Sequence, residues 1–418
     1  MKAMSFFSGA FGLDLGLEEA GVTASLAVEI DDHCCRTLRA NRPDLNVVEA
    51  DVGSIAGEDL TSFSRTRGTV DLIVGGPPCQ SFSPGGKRAA LTDPRGNLIY
   101  EYLRLVGELR PRLFVLENVA NILTAALRHR PISERPGQHW SLKRYSGDQH
   151  SLGLDDCLPH LEPDEQAGSA VRQVLKDIEF LGYQVSFGIH NAADYGAPQH
   201  RLRFVLFGSL GSAPPSMIAP THGATGTPYV TLRDAIGDLT QNPGPGSQYT
   251  DDVRGFFDLV PPGKNWRALP ADIQPAAMGG SFAAGGGKTG FYRRLAWDHP
   301  APTITGRANR KGSALCHPDE TRPLSVAECA RIQGFPDSWT FSGSMNRQYL
   351  QVGNAVPVAL GRAVGESIRR WFAVRRRPIG RTAGRTEALL ESALTKLRSY
   401  ARNKLAVAPD GGPNGRRE

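Results

Sequence analysis

Short apolar runs alternate with longer stretches of helical periodicity through the first half of the chain. The runs Met4–Phe7, Leu26–Glu29, Val47–Ala50, Asp71–Val74, Leu113–Glu117, Tyr183–His190 and Phe204–Gly208 are rich in β-branched and aromatic residues, which predicts strands with helices between them. Such alternation predicts an α/β fold built on a doubly wound parallel sheet. Between residues 124 and 168 the pattern gives way to a polar insertion. From Ser209 onward glycine and proline rise, with runs such as Asn242-Pro-Gly-Pro-Gly246 and Gly285-Gly-Gly287, so a second, smaller, loop-rich domain is expected over 209–349. A capping box, Ser325-Val-Ala-Glu328, starts a helix that Gly334 and Pro336 end. Another helix is expected over Pro357–Ala373, and its segment, 350–373, should return to the first domain, 1–208. In the tail, 374–418, Leu390, Leu394, Leu397 and Ala401 recur at helical spacing and predict an amphipathic helix over Thr386–Leu405, whereas 380–385 and 409–418 read as disordered.

Within this framework Gly75-Gly-Pro-Pro-Cys79-Gln-Ser-Phe-Ser-Pro84 mounts one cysteine on a stiff turn after a buried strand. Each proline fixes its own φ and restricts its predecessor. Cys79 is therefore the candidate nucleophile, at the carboxyl edge where open α/β sheets place their chemistry. The loop Phe7-Ser-Gly-Ala-Phe-Gly-Leu-Asp14 follows the first strand and opens a helix, a place where a cofactor approaches the backbone. Glu29 ends the second strand, where a ribose could be held by its hydroxyls, and Asp51 ends the third. The loop is compact and acidic, better suited to a sulfonium or ammonium than to a pyrophosphate. Glu117 ends another strand and should face the same crevice as Cys79. Arg201 and Arg203, two residues apart, should share a face and seek anions or polar edges.

Composition narrows the partners. The chain has 418 residues and a net charge of +6. The last 44 residues hold 11 Lys+Arg against 4 Asp+Glu, leaving 37 against 38 in the rest. A basic tail on a near-neutral body suggests contact with a polyanion. The six cysteines show no metal-ligand spacing, and no apolar signal core or spanning helix is legible, so a reduced, cytoplasmic enzyme with no metal and no membrane contact is expected.

Taken together these motifs resemble the bacterial cytosine-5 DNA methyltransferases. The family order is reproduced by the Phe7-Ser-Gly9 loop, Glu29, Asp51, Pro77-Pro-Cys79-Gln80, Glu117-Asn-Val119, Gln199-x-Arg201-x-Arg203, Arg322-Pro-Leu-Ser-Val-Ala-Glu328, Gln333-Gly-Phe-Pro336 and Gln351-Val-Gly-Asn354-Ala-Val-Pro357. The resemblance covers about residues 4–370, without the insertion and the tail. It implies a Rossmann-like methyltransferase sheet and S-adenosyl-L-methionine as cofactor. Phe7, Ser8, Gly9, Gly12, Leu13, Glu29, Asp51, Val52, Pro77 and Asn354 would hold that cofactor. Cys79, Glu117, Arg201 and Arg203 would act on a cytosine flipped out of double-stranded DNA, Arg201 by way of a phosphate or the catalytic loop. Gln80, Ser81, Ser83, Gln199, Arg293, Arg294, Arg307 and Arg310 would contact DNA. A monomer working beside a cognate restriction endonuclease, or alone, is expected. Phe11 stands where the family often has glycine, which bears on cofactor affinity if its φ is positive. The alternatives are a tRNA-directed relative, a non-catalytic regulatory homologue and a nicotinamide-dependent oxidoreductase. The last would leave Pro77-Pro-Cys79 without a role.

Overall fold

Seven strands form one sheet in a computed structural model that describes residues 1–61, 70–78, 98–128, 162–223, 226–282, 290–307, 310–374 and 385–406. They are β1 (Lys2–Phe6), β2 (Thr23–Glu29), β3 (Asn46–Glu49), β4 (Leu72–Gly75), β5 (Leu113–Val119), β6 (Tyr183–Asn191) and β8 (Leu202–Leu210), with the short β7 (Gln199–His200) leading into β8. Their order is β3-β2-β1-β4-β5-β8-β6. Each predicted strand is present within about three residues of its expected ends. One expectation needs correction: the sheet is not all parallel, since β8 runs antiparallel to both β5 and β6. The link from β6 to β8 is too short for the crossover helix that a parallel return needs, so the chain turns straight back.

Alternate residues of the central strands feed two cores, as the two-residue period requires. Leu72, Val74, Leu113 and Val115 face α1 (Gly12–Glu19) and α11 (Val358–Ala373). Ile73, Phe114 and Leu116 face the other side, with Tyr102, Leu105 and Val106 of α4 (Leu98–Leu109) and Val171, Val174 and Ile178 of α5 (Ser169–Phe180). α12 (Arg385–Ala406) joins this second core through Leu390 and Ala393. It is also tied by Arg172–Glu387, by Thr386 to Glu179 and by Tyr400 to Asp194. Part of the basic tail is thus a docked helix. Of the disorder expected at 380–385 and 409–418, only Arg385 lies within the described residues, and it begins α12; most of the insertion also lies outside them.

The loop-rich stretch has its own apolar core of Phe257, Val260, Trp266, Leu269, Met278, Tyr292 and Cys316. From there the chain returns through α9 (Val326–Gln333) and α10 (Met345–Asn354). The capping box behaves as expected, Ser325 Oγ accepting from Glu328 N and the Glu328 carboxylate from Ser325 N, and Gly334 ends α9 at φ 89. The sequence pattern did not predict α10.

α11 closes on α1 because both present glycines at the contact. A Cβ on Gly16 would lie inside the van der Waals radii of Val358 O and Arg362 N, and one on Gly361 inside that of Leu13 O. These neighbours are backbone and cannot swing away. Gly16→Ala should therefore cost on the order of 3 kcal/mol, read as a lower urea midpoint. Gly255→Ala, at a position where a Cβ meets nothing within 4 Å, should leave the midpoint unchanged or slightly raised.

Candidate active site

Glu117 lies near the carboxyl end of β5, only 8 % exposed. In the β5–β8 register Val119 opposes Arg203 and Glu117 opposes Val205, so Glu117 and Arg203 are diagonal neighbours on one face. Arg203 Nε stands 2.8 Å from Glu117 Oε1, though without an aligned hydrogen bond to that oxygen. Burial raises the Glu117 pKa above the usual carboxylate value, against the pull of Arg203 and then Arg201. A buried carboxyl of this kind can keep a proton to donate.

The start of the Cys79 loop is fixed beside this pair. A Cβ on Gly76 would stand 3.0 Å from Glu117 Oε2, so the backbone passes directly over the carboxylate. Asn118 Nδ2 donates to Pro77 O at 3.1 Å. Asn118 was legible only as part of a motif; its task is to anchor the loop two residues before Cys79. Cys79, Gln80, Ser81 and Ser83 lie outside the described residues.

Arg201 differs from its expectation. It is 2 % exposed, and its guanidinium donates to Ile304 O at 2.6 Å and Gly353 O at 2.7 Å. It binds protein carbonyls rather than a phosphate, joining the sheet to segments more than 100 residues away. Its charge still lowers the Glu117 pKa, after that of Arg203. Gln199 is likewise corrected: fully buried, it donates to Ile332 O and Gln333 Oε1 and accepts from Ile304 N, so it has no free edge for DNA. Arg294, 5 % exposed, is spent on Phe257 O, Pro318 O and Thr321 Oγ1. Arg293 is half-buried, and Arg307 and Arg310 are exposed.

The second half of the site surrounds the loop between β1 and α1. Glu29 accepts from three amides, Gly9 N at 2.8 Å through Oε2, and Ile30 N at 2.8 Å and Asp31 N at 2.9 Å through Oε1. Burial nevertheless raises its pKa. Gly9 has φ 53, and a Cβ there would meet nothing within 4 Å, so the loop opens onto free space beside the Glu29 carboxylate. Ile30, unremarked in the sequence, adds an apolar side chain 63 % exposed. Asp51, exposed, accepts from Gly53 N. Val52 and Leu13 point into the cores, so only their backbones remain for a ligand. Asn354 is exposed at the end of α10, just ahead of Ala355 and Val356, which would touch a Cβ on Gly12.

Phe11 has φ 76 and is fully buried. The left-handed backbone costs an L-residue about 1–2 kcal/mol, and burying the ring returns roughly 1.5–3 kcal/mol, so packing wins.

The fold built on this cleft is that of known methyltransferases. A solved structure described as a DNA modification methyltransferase encoded within an Escherichia coli prophage superposes with a TM-score of 0.56 at 24 % identity, covering 90 % of this chain and all of that one. DNMT2 of Spodoptera frugiperda gives 0.52 at 17 % identity, covering 89 % and 99 %. The model of the family "C-5 cytosine-specific DNA methylase" matches residues 1–130 and 163–370. The type II methyltransferase M.Eco47II of Escherichia coli is 38 % identical over 371 residues, 87 % of this chain and 78 % of its own. M.Sau96I of Staphylococcus aureus is 37 % identical over 362 residues, 87 % and 74 %. The chain belongs to the C-5 cytosine-specific DNA methylases. It is a DNA cytosine-5 methyltransferase that depends on S-adenosyl-L-methionine.

The acid that closes the Phe7–Asp14 loop in the sequence turns out to be buried. Asp14 on α1 accepts from Ser5 Oγ at 3.0 Å, Ser5 accepts from Ser8 Oγ at 2.9 Å, and Asp14 Oδ1 is buried without a partner. Burial raises the Asp14 pKa to about 7. A carboxyl raised in the folded state stabilises fully below its unfolded value, and that contribution is lost as pH rises from about 4 through about 7. Relative to Asp14→Asn, the wild type should lose roughly 2–3 kcal/mol between pH 5 and pH 8, measured by urea denaturation at both values. Parallel pH profiles would contradict it.

Proposed function

We propose that the chain methylates carbon 5 of one cytosine within a short duplex site, through a transient covalent bond from Cys79, as the modification half of a type II restriction–modification system. The observation that carries this reading is the buried Glu117–Arg203 pair lying against the anchored strand-to-loop turn Gly76-Pro77. Chain connectivity holds Cys79 within about 7 Å of Pro77.

Ring carbons cannot be reached inside a duplex, so the target base is flipped out, at a cost of a few kcal/mol. Gln80, Ser81 and Ser83 would hold the flipped state. The Cys79 thiolate adds to carbon 6, and the electron pair of the 5,6 double bond moves toward carbon 5. Glu117, carrying a proton, donates to ring nitrogen 3 and accepts from the exocyclic amine, while Arg203 donates to the carbonyl at carbon 2, so charge formed by the addition is met on both edges. After methylation the proton on carbon 5 leaves to solvent or a bound water, the double bond re-forms, and the thiolate departs.

The cofactor loop fits a cationic adenosyl ligand. Free space adjoins Gly9 and the raised, amide-held Glu29 carboxylate, with the exposed Ile30 side chain next to it. In this reading Phe7, Ser8, Gly9, Gly12, the Leu13 backbone, Pro77 and Asn354 hold the methionine portion, Glu29 the ribose, and Asp51 with the Val52 amide the adenine edge. S-adenosyl-L-methionine, when bound, supplies the electrophilic methyl group. Residues 209–349 would read the DNA sequence, with the exposed Arg307 and Arg310 as contacts. A cognate endonuclease is supported by the type II designations of the relatives. The enzyme would act as a monomer on cytoplasmic DNA; no described helix is long and apolar enough to cross a membrane.

Expression in a host without cytosine methylation, followed by bisulfite sequencing, should show methylation confined to one short motif. Cys79→Ser should abolish it while leaving cofactor affinity within about twofold. Arg307→Ala and Arg310→Ala should weaken or relax the motif preference by about 1–3 kcal/mol per lost base contact. No methylation by folded wild type would overturn the assignment, and unchanged preference in both arginine variants would remove them from the interface.

A further inference from the structure

The cofactor loop makes two left-handed turns at residues other than glycine, at Phe7 (φ 56) and Phe11 (φ 76), with Gly9 (φ 53) between them. Gly9 adopts such a backbone freely; Phe11 must be held. What holds it is far away in sequence. The Phe11 ring, fully buried, stacks on Trp339 with centroids 6.3 Å apart and planes 8° from parallel. Trp339 also packs on Phe335 and lies under the Arg42 guanidinium, 5.0 Å from the ring centre. Arg42 in turn binds Glu18 on α1 through Nη2 at 2.9 Å, and α1 is the helix that the loop opens. The same segment reaches the other side of the site: Asn41 Nδ2, at the end of α2 (Asp32–Asn41), donates to Thr340 O at 2.8 Å, and Thr37 Oγ1 donates to Gln351 Oε1 at 2.6 Å. α2 directly follows the Glu29 turn. Segment 335–351 therefore touches both walls of the cofactor site, yet none of its residues belongs to the loop.

We propose that Phe11 is a positioning residue for the S-adenosyl-L-methionine loop, acting through its stack on Trp339, so that the returning segment 335–351 sets cofactor affinity. This rests on the reading that the Phe7–Leu13 loop and Glu29 hold the cofactor. The stack keeps the loop in its binding shape before ligand arrives, so its loss costs affinity and leaves the chemical step unchanged once the site is saturated.

The test measures S-adenosylhomocysteine affinity by titration calorimetry on the full chain, with thermal melting as the check of folding and kcat measured at saturating cofactor. Phe11→Ala and Trp339→Leu should each weaken binding tenfold or more, with kcat within twofold. The double variant should be no weaker than the worse single one, because both remove one contact. Trp339→Phe, which preserves an aromatic face, should bind within threefold of wild type. Phe11→Leu fills the apolar space without stacking, and should weaken binding about fivefold even if Phe11→Ala does not fold. Binding within twofold of wild type in folded Phe11→Leu and Trp339→Leu, additive losses in the double variant, or a fall in kcat at unchanged affinity would each overturn the proposal. Glu29→Ala separates the two ideas. If it weakens binding while the aromatic variants do not, only the stack is wrong; if it also binds normally, the loop is not the cofactor site.

Discussion

A carboxyl group buried at the end of a central strand must either keep its proton or find a cation, and Glu117 is arranged to do both. Burial raises its pKa while Arg203 lies 2.8 Å away. The antiparallel register of β8 against β5 sets Arg203 diagonally across from Glu117. Gly76 admits the loop backbone over the carboxylate, and Asn118 ties that backbone down. A buried pair of this type contributes little net stability compared with apolar residues of similar size. In the proposed mechanism its value lies in chemistry, since it holds a proton donor and a guanidinium fork at fixed separation.

The cofactor side depends on a different constraint, close helix approach. α1 carries the loop at its start and can pack on α11 only because Gly16 and Gly361 leave room, while Gly12 admits Ala355 and Val356 just ahead of α11. The end of the catalytic unit is thereby brought next to its beginning, with Asn354 and the Trp339 segment beside the loop. Arg201 performs a related service, joining the sheet to Ile304 and Gly353 with two hydrogen bonds. Its charge is felt at Glu117 although its side chain reaches no open cleft.

Much of this was legible in the sequence because the signals were local. Strand periodicity, the Ser325 capping box and the apolar stripe of the tail helix are written within a few residues, and each element formed where expected. Glu117, Glu29 and the Pro77 turn stood out as candidates because each sits at the end of a predicted strand, and the structure places each of them at or near a strand end. What escaped was non-local. α10 shows only a short apolar face, Met345, Tyr349 and Val352, and is also held by Gln351 to Ser342 and Thr37, partners that no periodicity reveals. Gln199, Arg201 and Arg294 read as surface contacts because a polar side chain in sequence gives no sign that carbonyls distant in the chain await it. Asp14 read as an acidic group of the cofactor loop, whereas it is buried with Ser5 Oγ donating to it. The left-handed backbone at Phe11 was flagged only as a condition, and its resolution required Trp339.

The central claim is that Cys79 adds to carbon 6 of a flipped cytosine held by Glu117 and Arg203. A duplex carrying 5-fluorocytosine at the target position tests it directly, since fluorine cannot leave carbon 5 as a proton does and the cysteine adduct cannot be released after methylation. Incubation with S-adenosyl-L-methionine should give a protein–DNA complex that survives denaturation, with peptide mapping placing the link at Cys79 and Glu117→Gln slowing its formation. Absence of the complex from folded, cofactor-binding protein, or a link at any other cysteine, would contradict the account.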